Sequence, residues 1–231
     1  AIMAQTTITE KEKNGMDIFD ILGPVMVGPS SSHTAGAARI GAMARTLLGE
    51  EVADAKLHLY GSFAETGKGH GTDRALVAGL LGMKPDDLRI PNAFEEAKKA
   101  GLRYTIDEID LRDAHPNTAV LELTGKGGRA LTVQASSLGG GRIMVNKLDG
   151  IEVNFTGESN TLVVRNQDEF GSVAAVTSIL NQLRVNVANM SVHRHKRGGE
   201  GEQIGHAVAM ALKNLMGLVC DPVAGLVEVP C

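Results

Sequence analysis

Tryptophan is absent from the chain, tyrosine occurs twice and phenylalanine five times. A core with so few rings has to come from aliphatic side chains and close backbone approaches, and the 28 glycines permit the latter. Cysteine is scarce as well, with Cys220 and Cys231 the two in the sequence. That excludes a disulfide-stapled scaffold and leaves free thiols or metal ligation. Positive charge is not in excess: 23 Lys and Arg stand against 27 Asp and Glu, a formal net charge of −4. Apart from the short His193 to Arg197 segment there is no extended basic run, so nothing electrostatic argues for a nucleic-acid partner. No apolar stretch reaches membrane-spanning length, and the opening AIMAQTTITEKEKNGM lacks the cationic start and apolar core of a secretory signal. The expectation is a cytoplasmic protein without a membrane partner, whose residues 1–16 form a polar, disordered leader.

What is present is concentrated at Gly28 to Arg39, GPSSSHTAGAAR. Pro29 stops whatever precedes it, Ser30, Ser31 and Ser32 offer capping oxygens, and the small residues after Thr34 let a helix run to about Leu48, with Gly49 as its stop. One serine suffices for a cap. Four neighbouring hydroxyls and the imidazole of His33 exceed that need, and the free N–H groups of a first turn attract anions, so the stretch suits a small carboxylate.

Further along, Lys56 to Tyr60 reads as a short strand feeding the glycine-rich Gly67 to Gly71, after which a helix spans about Asp73 to Leu81. A nucleotide P-loop is excluded, because five residues separate Gly61 from Gly67 and Lys68 is followed by glycine. Two readings stay open for this segment, a tight turn or a backbone nest in which Lys68 and His70 orient a carboxylate. Residues 84–118 are polar, with a short helix at Ala93 to Ala100 and a turn at Ala114 to Asn117 that contains His115. From Thr118 the pattern alternates: Val120 to Leu123, Ala130 to Ala135, Ile143 to Val145 and Ile151 to Phe155 predict an antiparallel meander. The tract Gly139 to Gly141 before Arg142 is either a wide turn or a close approach for a ligand carboxylate. After a linker at Thr156 to Asn160 come a strand (Thr161 to Asn166), a helix (Ser172 to Leu183) and a strand (Val185 to Val192). The spacing of Ile204, Val208, Ala211 and Leu215 then predicts a helix over Glu202 to Leu215. His193 and His195 alternate on the last of these strands, as exposed residues or as metal ligands. The fold class is α+β.

The strings DIFDILGPVMVGPSSSHTAGAARIG and GSFAETGKGHGTDRALVAGLLG resemble the β domain of the iron–sulfur-dependent L-serine dehydratases (L-serine ammonia-lyases), over about Asp17 to Phe155. The strand–helix–strand beyond resembles the start of an ACT domain, the ferredoxin-like module that binds amino acids or makes subunit contacts, with Asn166, Asp168 and Gly171 where a ligand would sit. GLVCDPVAGLVEVPC, at Gly217 to Cys231, resembles the cluster-binding string of the α domain of the same enzymes. The organisation implied is a β domain at 17–155, a partial ACT-like domain at 160–200 and an α-domain-like fragment at 201–231. The resemblance implies conversion of L-serine to pyruvate and ammonia, with a [4Fe–4S] cluster as Lewis acid. It further implies that Ser30, Ser31, Ser32 and Thr34 grip the substrate carboxylate, that His33 is the general base with Lys68 and His70 as secondary candidates, and that Cys220 and Cys231 are cluster ligands. Two thiolates do not complete such a cluster, so a separate α subunit and a homo- or hetero-oligomer are implied too. A different class, a non-catalytic amino-acid-binding or regulatory chain, keeps the same fold without turnover.

Overall fold

The structure, a computed structural model, describes residues 25–158, 160–167, 170–194, 205–213 and 226–229, with the main chain alone for Lys68, 165–167, 194, 205–213 and 226–229. The leader at 1–16 and the onset of order near Asp17 lie outside them.

Six strands form the first sheet: β1 (Val52–Tyr60), β2 (Arg103–Glu108), β3 (Thr118–Gly125), β4 (Ala130–Gly139), β5 (Arg142–Leu148) and β6 (Ile151–Phe155), in the order β2-β1-β3-β4-β5-β6. The strands β3 to β6 are the meander that alternation predicts, each antiparallel to the next. Asp149 and Gly150 turn β5 into β6 with φ of 45° and 80°, and Asp149 Oδ1 accepts from Thr132 N at 2.6 Å. Positive φ at both central residues matches the twist of a hairpin, which is why Asp-Gly occurs there. β2 is absent from the sequence reading. It is an edge strand paired in parallel with β1, from Asp54↔Arg103 to Leu59↔Glu108, and its alternating Tyr104 and Ile106 are diluted by charged neighbours.

A parallel pair needs a long crossover. Here it consists of α2 (Ser62–His70), α3 (Thr72–Leu80), a 3-10 turn (Ile90–Asn92) and α4 (Ala93–Ala100). Before β1, a π-helical turn (Ser31–Gly36) runs into α1 (Ala37–Leu48), which ends at Gly49 in a left-handed conformation (φ 77°), as the sequence predicts. The helices cover one sheet face, burying Ile40, Leu48, Leu57, Leu76, Leu80, Leu121, Val133 and Val145 completely or nearly so. Each such side chain contributes about 1.5–3 kcal/mol through its removal from water. α1 and α3 cross at two glycines. A Cβ at Gly41 would lie 2.3 Å from Leu76 O, and one at Gly79 would lie 2.1 Å from Ala38 O, so only hydrogen fits at either position.

The second sheet has the order β10-β7-β9-β8, from β7 (Thr161–Gln167), β8 (Asn186–Arg194), β9 (Gly205–Lys213) and β10 (Leu226–Val229), all neighbours antiparallel. The helix α5 (Ser172–Gln182) joins β7 to β8, and Leu162, Val164, Leu180 and Val185 make a small apolar cluster of their own. β9 corrects the expected helix over Glu202 to Leu215. The run His206 to Lys213 alternates large residues with alanine, so helical and strand periods both fit it. Pairing with β7 on one side and β8 on the other decides the outcome, because such non-local hydrogen bonds override local propensity. The fourth strand, β10, comes from within Gly217 to Cys231, the string resembling another domain. Among the described residues no helix is long and apolar enough to cross a membrane.

Candidate functional site

The π-helical turn opens on Ser30, which has extended backbone (φ −138°, ψ 123°) and whose Oγ accepts from His33 N at 3.2 Å. This is the serine that caps; Ser31 and Ser32 are half-buried beside it. A π turn holds one more residue than an α turn and recurs at functional sites. Gly36 lets it pack on β4, since a Cβ there would lie 2.0 Å from Ser137 Oγ. Ser137 Oγ is buried without a hydrogen-bond partner among the described residues.

The ring of His33 is held at both nitrogens. Nδ1 lies 3.2 Å from Ser30 Oγ, and Nε2 lies 3.1 Å from Ser62 Oγ at the first residue of α2. Phe63 stands 5.5 Å from the imidazole centre and His70 stands edge-on at 5.1 Å. Burial pushes the His33 pKa down, the charge of His70 pushes the same way, and a hydrogen bond with the Ser62 main chain opposes both. The imidazole is therefore neutral near pH 7 and able to take a proton. Thr34 is buried, and its Oγ1 donates to His70 O at 3.2 Å, which ties the end of α2 to the π turn.

The segment read as a glycine-rich turn or nest is helical instead: α2 runs through Gly67, Lys68 and Gly69 to His70, and the break comes at left-handed Gly71 (φ 71°). Glycine inside a helix costs about 1 kcal/mol relative to alanine. A Cβ at Gly67 would meet Leu59 at 3.4 Å and one at Gly69 would meet nothing within 4 Å, so packing does not account for either glycine. Lys68 thus sits on the helix main chain, and His70 is its exposed last residue.

Ser62 is the site residue that sequence reasoning missed. It follows Gly61, whose φ is 57° and whose Cβ, were there one, would lie 2.7 Å from Pro116 O. Pro116 belongs to the expected turn, where His115 Nδ1 accepts from Asn117 N at 3.1 Å. The available signal was a Gly-Ser pair at the end of a strand and ahead of an apolar Phe63, a helix start.

The glycines of the β4–β5 turn carry φ of 91°, 61° and 76°, and Arg39 Nη1 donates to Gly141 O at 2.9 Å. Gly139 faces Ser32, since a Cβ there would lie 3.7 Å from Ser32 Oγ. Arg142 lines a separate cavity of about 440 Å3 with Arg39, Lys84 and Glu158.

No three His, Cys, Asp or Glu side chains converge as metal ligands among the described residues. Cys220, Cys231, His195 and Asp168 lie outside them, and His193 on β8 is half-buried, not exposed as expected of a strand histidine. Gly171 starts α5 with φ 87°.

The family model for the serine dehydratase beta chain matches residues 16–112, and that for the serine dehydratase alpha chain matches residues 188–231. The probable L-serine dehydratase beta chain of Bacillus subtilis (strain 168) is 44% identical over 181 residues, covering 78% of this chain and 82% of the relative. The L-serine dehydratase beta chain of Peptoniphilus asaccharolyticus is 41% identical over 179 residues, covering 77% and 81%. The probable L-serine dehydratase alpha chain of Bacillus subtilis is 71% identical over 34 residues, 15% of this chain and 11% of that one.

Proposed function

The chain belongs to the L-serine dehydratase beta-chain family, and from that premise we propose that it is the β subunit of an L-serine ammonia-lyase, working with an α chain to turn L-serine into pyruvate and ammonia. The observation that carries the reading is His33, a neutral imidazole clamped between Ser30 and Ser62 at the head of a hydroxyl-rich helical turn.

Dehydration removes a weakly acidic α-proton and expels the β-hydroxyl. In this reading His33 takes the proton from Cα, the electron pair forms the Cα–Cβ double bond, and the Cβ–O bond breaks with hydroxide leaving as water after protonation. The resulting 2-aminoacrylate tautomerises to the imine, which water hydrolyses to pyruvate and ammonia. Ser30, Ser31 and Ser32 with the N–H groups of the π turn hold the carboxylate, as an anion is held at a helix start. Thr34 serves the same grip by tying α2 to that turn, and Lys68 and His70 at the end of α2 are the further substrate contacts. We place the β domain at 17–155, a partial ACT-like domain at 160–200, whose own apolar cluster of Leu162, Val164, Leu180 and Val185 supports the division, and an α-domain-like fragment at 201–231.

A [4Fe–4S] cluster of the kind the resemblance implies supplies, when bound, a Lewis-acidic iron for the departing hydroxyl. In this reading Cys220 and Cys231 would be two of its ligands, and they fall short of the three or four thiolates such a cluster takes, so this chain alone does not complete the site. The α chain would supply the remaining ligands, and the steps above use this chain's residues alone.

The test is pyruvate formation from L-serine after anaerobic reconstitution with iron and sulfide, on this chain by itself and with a separately made α chain. Activity in the second arm only is the expected result. Serine binding without pyruvate in either arm would replace the enzyme reading by a non-catalytic amino-acid-binding one.

The direction of the His33 shift fixes a pH dependence. Its folded pKa lies below the ordinary 6.5, so the base form persists to lower pH and the acid limb of kcat/KM falls below 6.5. Stability follows the same sign: between the two pKa values the unfolded chain binds more protons, so acidification through that window favours unfolding. A rate profile whose acid limb lies above 6.5 would remove His33 from the role.

A further inference from the structure

We propose that Ser62 is a positioning residue that decides which nitrogen of His33 is basic: it accepts a hydrogen bond from Nε2–H and leaves Nδ1, facing Ser30, as the nitrogen that takes the substrate's proton. The inference rests on His33 being the base.

The position of Nδ1 leads there. Ser30 Oγ accepts from His33 N at 3.2 Å on one of its two lone pairs and keeps its proton to give, and Nδ1 is the ring nitrogen on the side of the hydroxyl turn that holds the carboxylate in our reading. The ring nitrogen within reach of that proton is Nδ1, also at 3.2 Å. A neutral imidazole has one donor and one acceptor nitrogen, so an accepting Nδ1 puts the ring proton on Nε2. Nε2 lies 3.1 Å from Ser62 Oγ, which accepts the hydrogen bond of that N–H.

Ser62 is itself fixed. It is the first residue of α2, held behind by Gly61 against Pro116, while its carbonyl accepts from Thr66 Oγ1 at 2.7 Å. Ser30 is the movable partner, with the substrate carboxylate as its alternative acceptor. When the Ser30 hydroxyl turns to that carboxylate, Nδ1 loses its donor and is free for the α-proton. Substrate binding and exposure of the base are then one rotation.

The experiment reads the His33 ring nitrogens by long-range nitrogen–proton NMR on the labelled full chain, with Ser62→Ala and Ser62→Thr beside it, and then turnover of each with the α chain. We expect the wild-type ring to carry its proton on Nε2. Ser62→Ala should shift the ring toward Nδ1–H, lower its titration midpoint and reduce kcat by about tenfold to a hundredfold with little change in KM; Ser62→Thr should restore all three. A wild-type ring protonated on Nδ1, or a tautomer indifferent to Ser62→Ala, overturns the proposal and leaves the base reading standing. Full turnover by His33→Ala overturns the base reading, and with it the catalytic half of the proposal, whatever the spectra show.

Discussion

His33→Ala is expected to lower turnover of the assembled enzyme by about 10²- to 10⁴-fold, the range by which a positioned general base accelerates proton transfer. The loss should fall on kcat, because the carboxylate contacts assigned to Ser30, Ser31 and Ser32 lie on the main chain and hydroxyls of a turn that alanine does not break. The turn survives because Ser30 caps it by accepting from the main-chain N of residue 33, whatever the side chain. The alanine chain should therefore unfold at nearly the wild-type midpoint while its kcat collapses. Measuring kcat, KM and the thermal midpoint on the same preparation separates the two effects. Near-normal kcat would remove the base assignment.

Gly79→Ala should be as severe for stability as His33→Ala is for rate. Two effects oppose each other at this position. Alanine is favoured over glycine in a helix by about 1 kcal/mol. Against that, its Cβ would lie 2.1 Å from Ala38 O and 2.7 Å from Ala42 N, both main-chain atoms of α1 that no rotamer can move aside. Overpacking in a filled core costs about 1–3 kcal/mol and more where backbone must shift, so the clash wins and the net change is a loss of about 2 kcal/mol or more. Denaturant titration of the variant reads it as a lower midpoint. A raised midpoint would mean that α1 and α3 do not cross as described. The variant should also weaken the site, because α1 continues the π turn of His33 and α3 follows directly on α2 through Gly71.

Much of this architecture is written locally. The meander was legible because its strands alternate and its turns are glycine-rich, and α1 because Gly49 ends it where the helical period ends. The Ser30 cap and His33 were legible for the same reason, since they lie within one turn of chain. What was hidden depended on distance along the chain. Ser62 meets His33 across 29 residues, and no local pattern records that meeting. α2 was hidden because Gly67 and Gly69 disfavour a helix locally, and β9 because its two partners come from elsewhere.

The parallel pairing of β1 with β2 also sets an order of events in time. The hydrogen bonds from Asp54↔Arg103 to Leu59↔Glu108 cannot form until the intervening chain has closed into a loop, whereas the π turn and α1 arise from neighbours in sequence. Contacts of such long range are the slow ones in folding. Ser62 rides in that loop, so a chain emerging from the ribosome or returning from denaturant presents His33 on its helix first and clamps it late. The half-folded species then has the Ser30 contact of His33 without the Ser62 one.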